Sequence, residues 1–244
     1  MKNSLKRILA LAGKEWRSWI NSPAFYGITV FFLVFVSLWL YYLQRFFVID
    51  TASLRPFFAA FPIAYILVIP VLTMKSWAEE KKLGTLELLL TMPFSEWELC
   101  LGKFLSSFAV LLVLLALTVP VPLSLLPLGS FDAGVIWAEY AGTVLLGASA
   151  VSLGLFLSAL SKNQAAAFLG SAVVLMAMML MNQVSQWAAV PSWFSELINY
   201  LSLSFHFESF SKGLLDSRDL AFFILTTVLF LFLNTRVLIF RKWR

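Results

Sequence analysis

Apolar residues along this chain gather into six runs, at 24 to 44, 56 to 77, 97 to 119, 134 to 160, 164 to 184 and 219 to 240, with polar or charged breaks between them. A helix needs about 20 apolar residues to cross a hydrocarbon core about 30 Å thick, so each run is long enough to span a membrane. The pattern predicts an all-α integral membrane protein of six transmembrane helices in a single domain over 1–244. The first 21 residues read differently. Leu5, Ile8, Leu9, Ala12, Trp16, Trp19 and Ile20 fall at helical spacing on one face, with Arg7, Lys14 and Arg17 off it, the pattern of an interfacial helix resting in lipid headgroups.

The breaks carry start and stop signals. Ser22 before Pro23 suits a helix start, since Ser caps free N–H groups and Pro is tolerated at the first helical position. Arg55 and Pro56 open the second span, which Pro62 and Pro70 are expected to interrupt. Ser95 and Glu98 fit a capping box at the head of the third, and Pro120, Pro122 and Pro127 are expected to end it. Spans four and five are joined by only Ser161, Lys162 and Asn163, so they should be antiparallel neighbours. Ala150 with Gly154, and Ala166 with Gly170, offer small-residue spacing for close approach. Residues 186–217 are aromatic and only moderately apolar, and predict short helices on the outer face before the last span.

The longest charged interruption, 79–95, has its own periodicity. Gly84 and Thr85 start a short helix, Leu86, Leu89 and Leu90 share one face, Glu87 and Thr91 another, and Pro93 stops it. An apolar stripe on a loop with flanking charge serves either as a docking knob for a partner groove or as a helix lying on lipid.

Composition narrows the function. With 61% hydrophobic and 13% charged residues, almost nothing remains for a soluble catalytic domain, and an enzymatic role for this chain is not expected. The single Cys100 and single His206 have no partners spaced for metal, redox or catalytic work, and His206 reads as a satisfied structural or aromatic-belt residue. Met176, Met178, Met179 and Met181 read as soft packing or lipid-facing side chains. No small-residue cleavage site follows the first apolar run, so the first helix is expected to be uncleaved. Lys and Arg distribute fourteen to four when both termini share a side, which places the termini and 79–95 in the cytoplasm and 186–217 outside. The net charge of +5 is then a topology and lipid signal, with no basic patch for nucleic acid. Lys75, Glu139 and Arg236 lie near predicted span ends, where snorkelling to the interface is expected; ion-coupled transport would need ionisable groups at depth. No phosphate-binding G-x-x-x-x-G-K-[ST] loop occurs either, so energy for any transport must come from a partner.

The run Glu80, Lys81, Lys82, Leu83, Gly84, Thr85, Leu86, Glu87, Leu88, Leu89, Leu90, Thr91, Met92, Pro93, with Gly102 and Lys103 beyond, resembles the E-[KR]-x-x-G-T-[LI]-E-x-L-L-x-x-P…G-K signature of ABC-2 type transporter permeases. The stretch from Phe205 to Asp219 is similar to the gliding-motility-associated group and to nitrous-oxide-reductase maturation permeases; the group's name is not evidence of gliding. The resemblance implies that 79–95 is a coupling helix, and that Glu79, Glu80, Gly84, Thr85, Leu86, Glu87, Leu89, Leu90 and Pro93 contact an ABC ATPase subunit. It implies a bacterial inner-membrane permease with both termini cytoplasmic, paired with a second copy or a homologous permease, and an auxiliary subunit with a large extracytoplasmic domain. ATP and Mg would be held by the ATPase, with no cofactor in this chain. An exporter for a lipid, glycan or other bulky amphiphile leads; the alternative is a force-transmitting anchor that moves no substrate.

Overall fold

A computed structural model describes residues 2–44, 53–92, 94–187 and 192–242. Among them all regular structure is helical, and six helices are long and apolar enough to cross a membrane: Pro23–Leu43, Arg55–Lys82, Glu96–Leu125, Ala133–Leu160, Gln164–Gln183 and Ser217–Arg241. In chain order the helices are α1 (Lys2–Ile20), α2 (Pro23–Leu38, continued by a π-helical turn Trp39–Leu43), α3 (Arg55–Phe58), α4 (Ala60–Lys82), α5 (Thr85–Thr91) and α6 (Glu96–Thr118). They are followed by α7 (Pro120–Leu125), α8 (Ala133–Leu160), α9 (Gln164–Trp187), α10 (Ser192–Leu201), α11 (Leu203–Ser211) and α12 (Ser217–Lys242).

The centre is α4 lying parallel to α8, in register over its whole length. Phe58, just before α4, meets Tyr140 edge-on at 4.8 Å, the Tyr65 hydroxyl donates to the Thr143 carbonyl at 3.2 Å, Thr73 lies on Gly154, and the Trp77 amide donates to Ser158 Oγ at 3.2 Å. Glycine is required at 154, because an added Cβ would meet Thr73 Cγ2 at 3.0 Å and Cβ at 3.1 Å. The close approach is what lets Ser158, buried near the end of α8, bond the α4 backbone. α6 runs the other way, its start beside the end of α4 and Thr118 beside Tyr140 at 3.2 Å. α9, α12 and α2 surround this core and leave much of their apolar faces exposed, as lipid-facing helices do.

Several breaks behave as their residues predict. Ser22 Oγ accepts from the Ala24 amide at 3.3 Å, and Ser95 and Glu98 form both bonds of the capping box, at 3.3 and 3.0 Å. The three-residue turn between α8 and α9 makes them packed neighbours. Others need correction. Pro70 lies inside a continuous α4, and the one interruption falls at Ala59, where Pro62 has no N–H to offer the Phe58 carbonyl. Pro120 does not end the third span but opens α7, as a proline at a first helical position can. Gly154 packs on α4, not on α9, and a Cβ at Gly170 would touch nothing within 4 Å.

The amphipathic α1 lies along the start of α6. Arg7 reaches Glu98 at 3.9 Å, Leu11 covers Gly102, and Glu15 meets Lys103 at 3.1 Å, three contacts on successive turns. Trp19 joins the main core, so the face expected to rest on headgroups is shared: Leu5 and Leu9 remain exposed, while Leu11 and Trp19 are buried in protein.

α10 and α11 fill the region before the last span; its residues 188–191 lie outside those described. His206 on α11 is a satisfied structural histidine. Its Nδ1 sits 2.6 Å from the Asp219 carboxylate, its Nε2 faces the Tyr200 carbonyl at 3.0 Å and so carries a proton, and Phe222 stacks on the ring at 3.8 Å. Asp219→Ala leaves a buried ring nitrogen of His206 without its partner, and is expected to cost about 2 kcal/mol in unfolding of the detergent-solubilised protein. An unchanged midpoint would remove His206 from the devices that pin α11 to α12.

Candidate functional site

The 79–95 segment divides into a helical end and a separate short helix. α4 continues through Glu79, Glu80, Lys81 and Lys82, so these four form its last turn. Gly84 then adopts φ +69°, a left-handed conformation that costs glycine little, and α5 starts at Thr85. Nothing in a continuous helix would turn α5 out of the line of α4; this one residue does.

Three pins fix the turn to the bundle. The first is Lys81, whose Nζ donates to the carbonyls of Ser158 at 3.2 Å, Ser161 at 2.9 Å and Ala159. Those are carbonyls at the end of α8, which have no helical partner of their own, and a cation there also opposes the helix dipole. The second is Lys103 on α6, 3% exposed, whose Nζ donates to Glu80 Oε1 at 2.7 Å and Glu15 Oε1 at 3.1 Å and lies 4.9 Å from the Trp77 ring centre. One ammonium thereby joins α1, α4 and α6. The third is apolar: Leu86 of α5 is buried with Leu11, Trp77, Leu99, Ala159 and Leu238, with Leu89 packed alongside.

This geometry revises the expected contact set. Leu86 faces inward and Glu80 is engaged by Lys103, and both hold the helix in place. Glu79 is half-buried and lines a cavity of about 290 Å³ with Glu15, Ser18, Lys75 and Lys103. Gly84, Thr85 and Glu87 are exposed, and Leu89 is half-buried; the Leu90 side chain and Pro93 lie outside the described residues. The outward surface also includes Leu83, Leu88, Thr91 and Met92, with Leu88 64% exposed. The apolar stripe read from periodicity is therefore the face that packs on the bundle, and the free face is mixed. No group of three or more His, Cys, Asp or Glu able to hold a metal occurs among the described residues.

The description of the ABC-2 family transporter proteins matches residues 9–233, nearly the whole chain. The chain belongs to the ABC-2 family. Relatives include the probable multidrug ABC transporter permease YbhR of Escherichia coli K12 and its counterpart in Escherichia coli O157:H7, each 31% identical over 143 residues. That match takes in 58% of this chain and 38% of the relative, so the chain matches well under half the length of these relatives. It is a multi-pass transmembrane subunit of an ABC transporter, a permease of a kind that is normally non-catalytic.

For an ABC-2 permease, the residues that build the site are more numerous than its loop motif. Lys103 was visible in the sequence only as the end of the motif's G-K pair, and its role depends on Glu15, 88 positions away. Lys81 and Ser158 could not be paired by spacing at all. A buried lysine needs carboxylates, but the acids that meet it, Glu15 and Glu80, lie on other helices 88 and 23 positions away, and no spacing in the sequence joined them to it.

Proposed function

We propose that this ABC-2 permease is the membrane subunit of an ATP-driven exporter, paired with a second copy or a homologous permease, and that a separate ABC ATPase docks on the exposed face of α5. ATP and Mg belong to that ATPase. The observation that supports this most directly is the two-sided α5: an inner face fixed to five other helices through Leu86, and an outer face presenting Gly84, Thr85, Glu87 and Leu88. A short helix held this firmly passes a push on to α1, α4, α6, α8 and α12, where a helix resting on lipid would slide.

On this reading the α5 end of the bundle and both termini are cytoplasmic, in a bacterial inner membrane, and α10 and α11 face outward, where an auxiliary subunit with an extracytoplasmic domain has access. The cargo is a lipid, glycan or other bulky amphiphile. The test is co-purification in mild detergent. Leu88→Glu with Glu87→Lys is expected to weaken ATPase recovery at least about 30-fold, the loss of one hot-spot contact of about 2 kcal/mol, while membrane insertion is kept. Full recovery of the ATPase with that double variant would sink the docking face. A force-transmitting anchor would use the same loop; stimulation of ATP turnover by an added amphiphile, which an anchor does not give, separates the two.

A further inference from the structure

At the other end of the bundle, two turns into α8, Glu139 is 0% exposed and neither carboxylate oxygen has a hydrogen-bond partner among the described residues. The expected snorkelling does not occur. Arg236 does behave so, lying exposed over the Phe232 ring at 4.8 Å, but Glu139 is sealed. It borders a cavity of about 310 Å³ whose other walls are Leu54, Phe131, Val135 and Ile136, with Ser53, Arg55 and Asp132 completing the lining. Arg55 is exposed and forms no ion pair with Glu139 among the described residues, although its charge acts on Glu139 from the cavity wall; the exposed Asp132 caps α8 through the Gly134 amide at 2.8 Å. The Glu139 carboxylate is left without a hydrogen-bonded partner among the described residues.

Burying a lone carboxylate without a partner is costly. Protonation does not resolve the problem, because the carboxyl O–H would then be a buried donor with no acceptor. We infer that this cavity is a binding site for a small organic ammonium cation, whose N–H groups donate to Glu139 while an aryl or alkyl portion packs on Phe131, Val135 and Ile136. A bare metal ion fits poorly, since hard cations need six or more oxygens and no cluster of three metal-binding side chains occurs among the described residues. The volume is that of a small-molecule pocket. This site is independent of the ATPase docking proposed above, lying at the opposite end of α4 and α8.

The probe is phenethylammonium, with phenethyl alcohol and phenylacetate as neutral and anionic controls, added to the full chain in detergent. At about ten times its dissociation constant the ammonium is expected to raise the unfolding midpoint by about 3–5 °C, and neither control should. Glu139→Gln removes the charge at nearly constant shape and should lose the response. Ile136→Trp, which fills the cavity and leaves the carboxylate, should lose it as well. Equal stabilisation by the alcohol, an undiminished response in Glu139→Gln, or no response in the parent chain would each overturn the inference. None of these outcomes bears on ATPase recovery, so docking on α5 stands or falls by its own test.

Discussion

Lys103→Met is expected to be among the most damaging single changes in the molecule, lowering stability by about 3–5 kcal/mol and abolishing ATPase recovery. The reason is not the loss of an attraction alone. Glu80 and Glu15 have side chains only 20% and 25% exposed and face the same ammonium, so its removal leaves two carboxylates crowded together without the ion-pair partner they share. The unfolding midpoint in detergent measures the first effect and co-purification the second. Adding Glu80→Gln and Glu15→Gln to Lys103→Met should recover a large part of the stability, because neutral amides tolerate the site. A triple variant no better than the single one would mean that Lys103 acts through its packing on Trp77, and the ion cluster would lose its place in the argument.

Gly154→Val is expected to have the next largest effect. The new side chain runs into Thr73, a β-branched residue whose own hydroxyl is bonded to the Ile69 carbonyl at 2.9 Å and which has few ways to turn aside. Overpacking of this kind costs about 1–3 kcal/mol. It also spreads α4 from α8 one turn before Ser158 and Lys81, so the functional loss should exceed the loss of stability. Gly170→Val is the matched control: the sequence context is equally small, yet space is open, and a change within about 0.5 kcal/mol is expected. If the two variants unfold alike, the register between α4 and α8 is softer than the contacts from Tyr65 to Ser158 indicate.

The contrast between these glycines shows where sequence reading succeeds and where it stops. Six spans, the caps at Ser22 and Ser95, the turn at Ser161 and the short helix after Gly84 all depend on neighbours within four residues, and they were legible. The facing of each helix was not. In a soluble protein an apolar stripe marks the inside, because water is the only alternative; in a membrane the lipid is as apolar as the core, and a stripe fits either. Leu86 and Leu89 could be read as a knob for a partner on that ground alone, and they turn out to pack inward. Glu139 failed for a related reason. Its position near a span end suggested access to the interface, but access depends on what α3 and the start of α8 place around it, among them Leu54 and Phe131, far apart in the chain. Lys103 and Lys81 depended on acids and carbonyls from other helices, which no local window contains.

The inward face of α5 has a consequence for anyone wishing to exchange the motor of such a transporter. The outer residues cannot be grafted as a peptide, since their position is set by Leu86 lodged among Leu11, Leu99 and Leu238, contributed by three other helices. The smallest transplantable unit is the loop together with the seat it occupies. Chimeras that cut at the loop boundaries should insert and fail to pair, whereas those that carry the middle of α1, the head of α6 and the last turns of α12 along with α5 should accept the foreign motor.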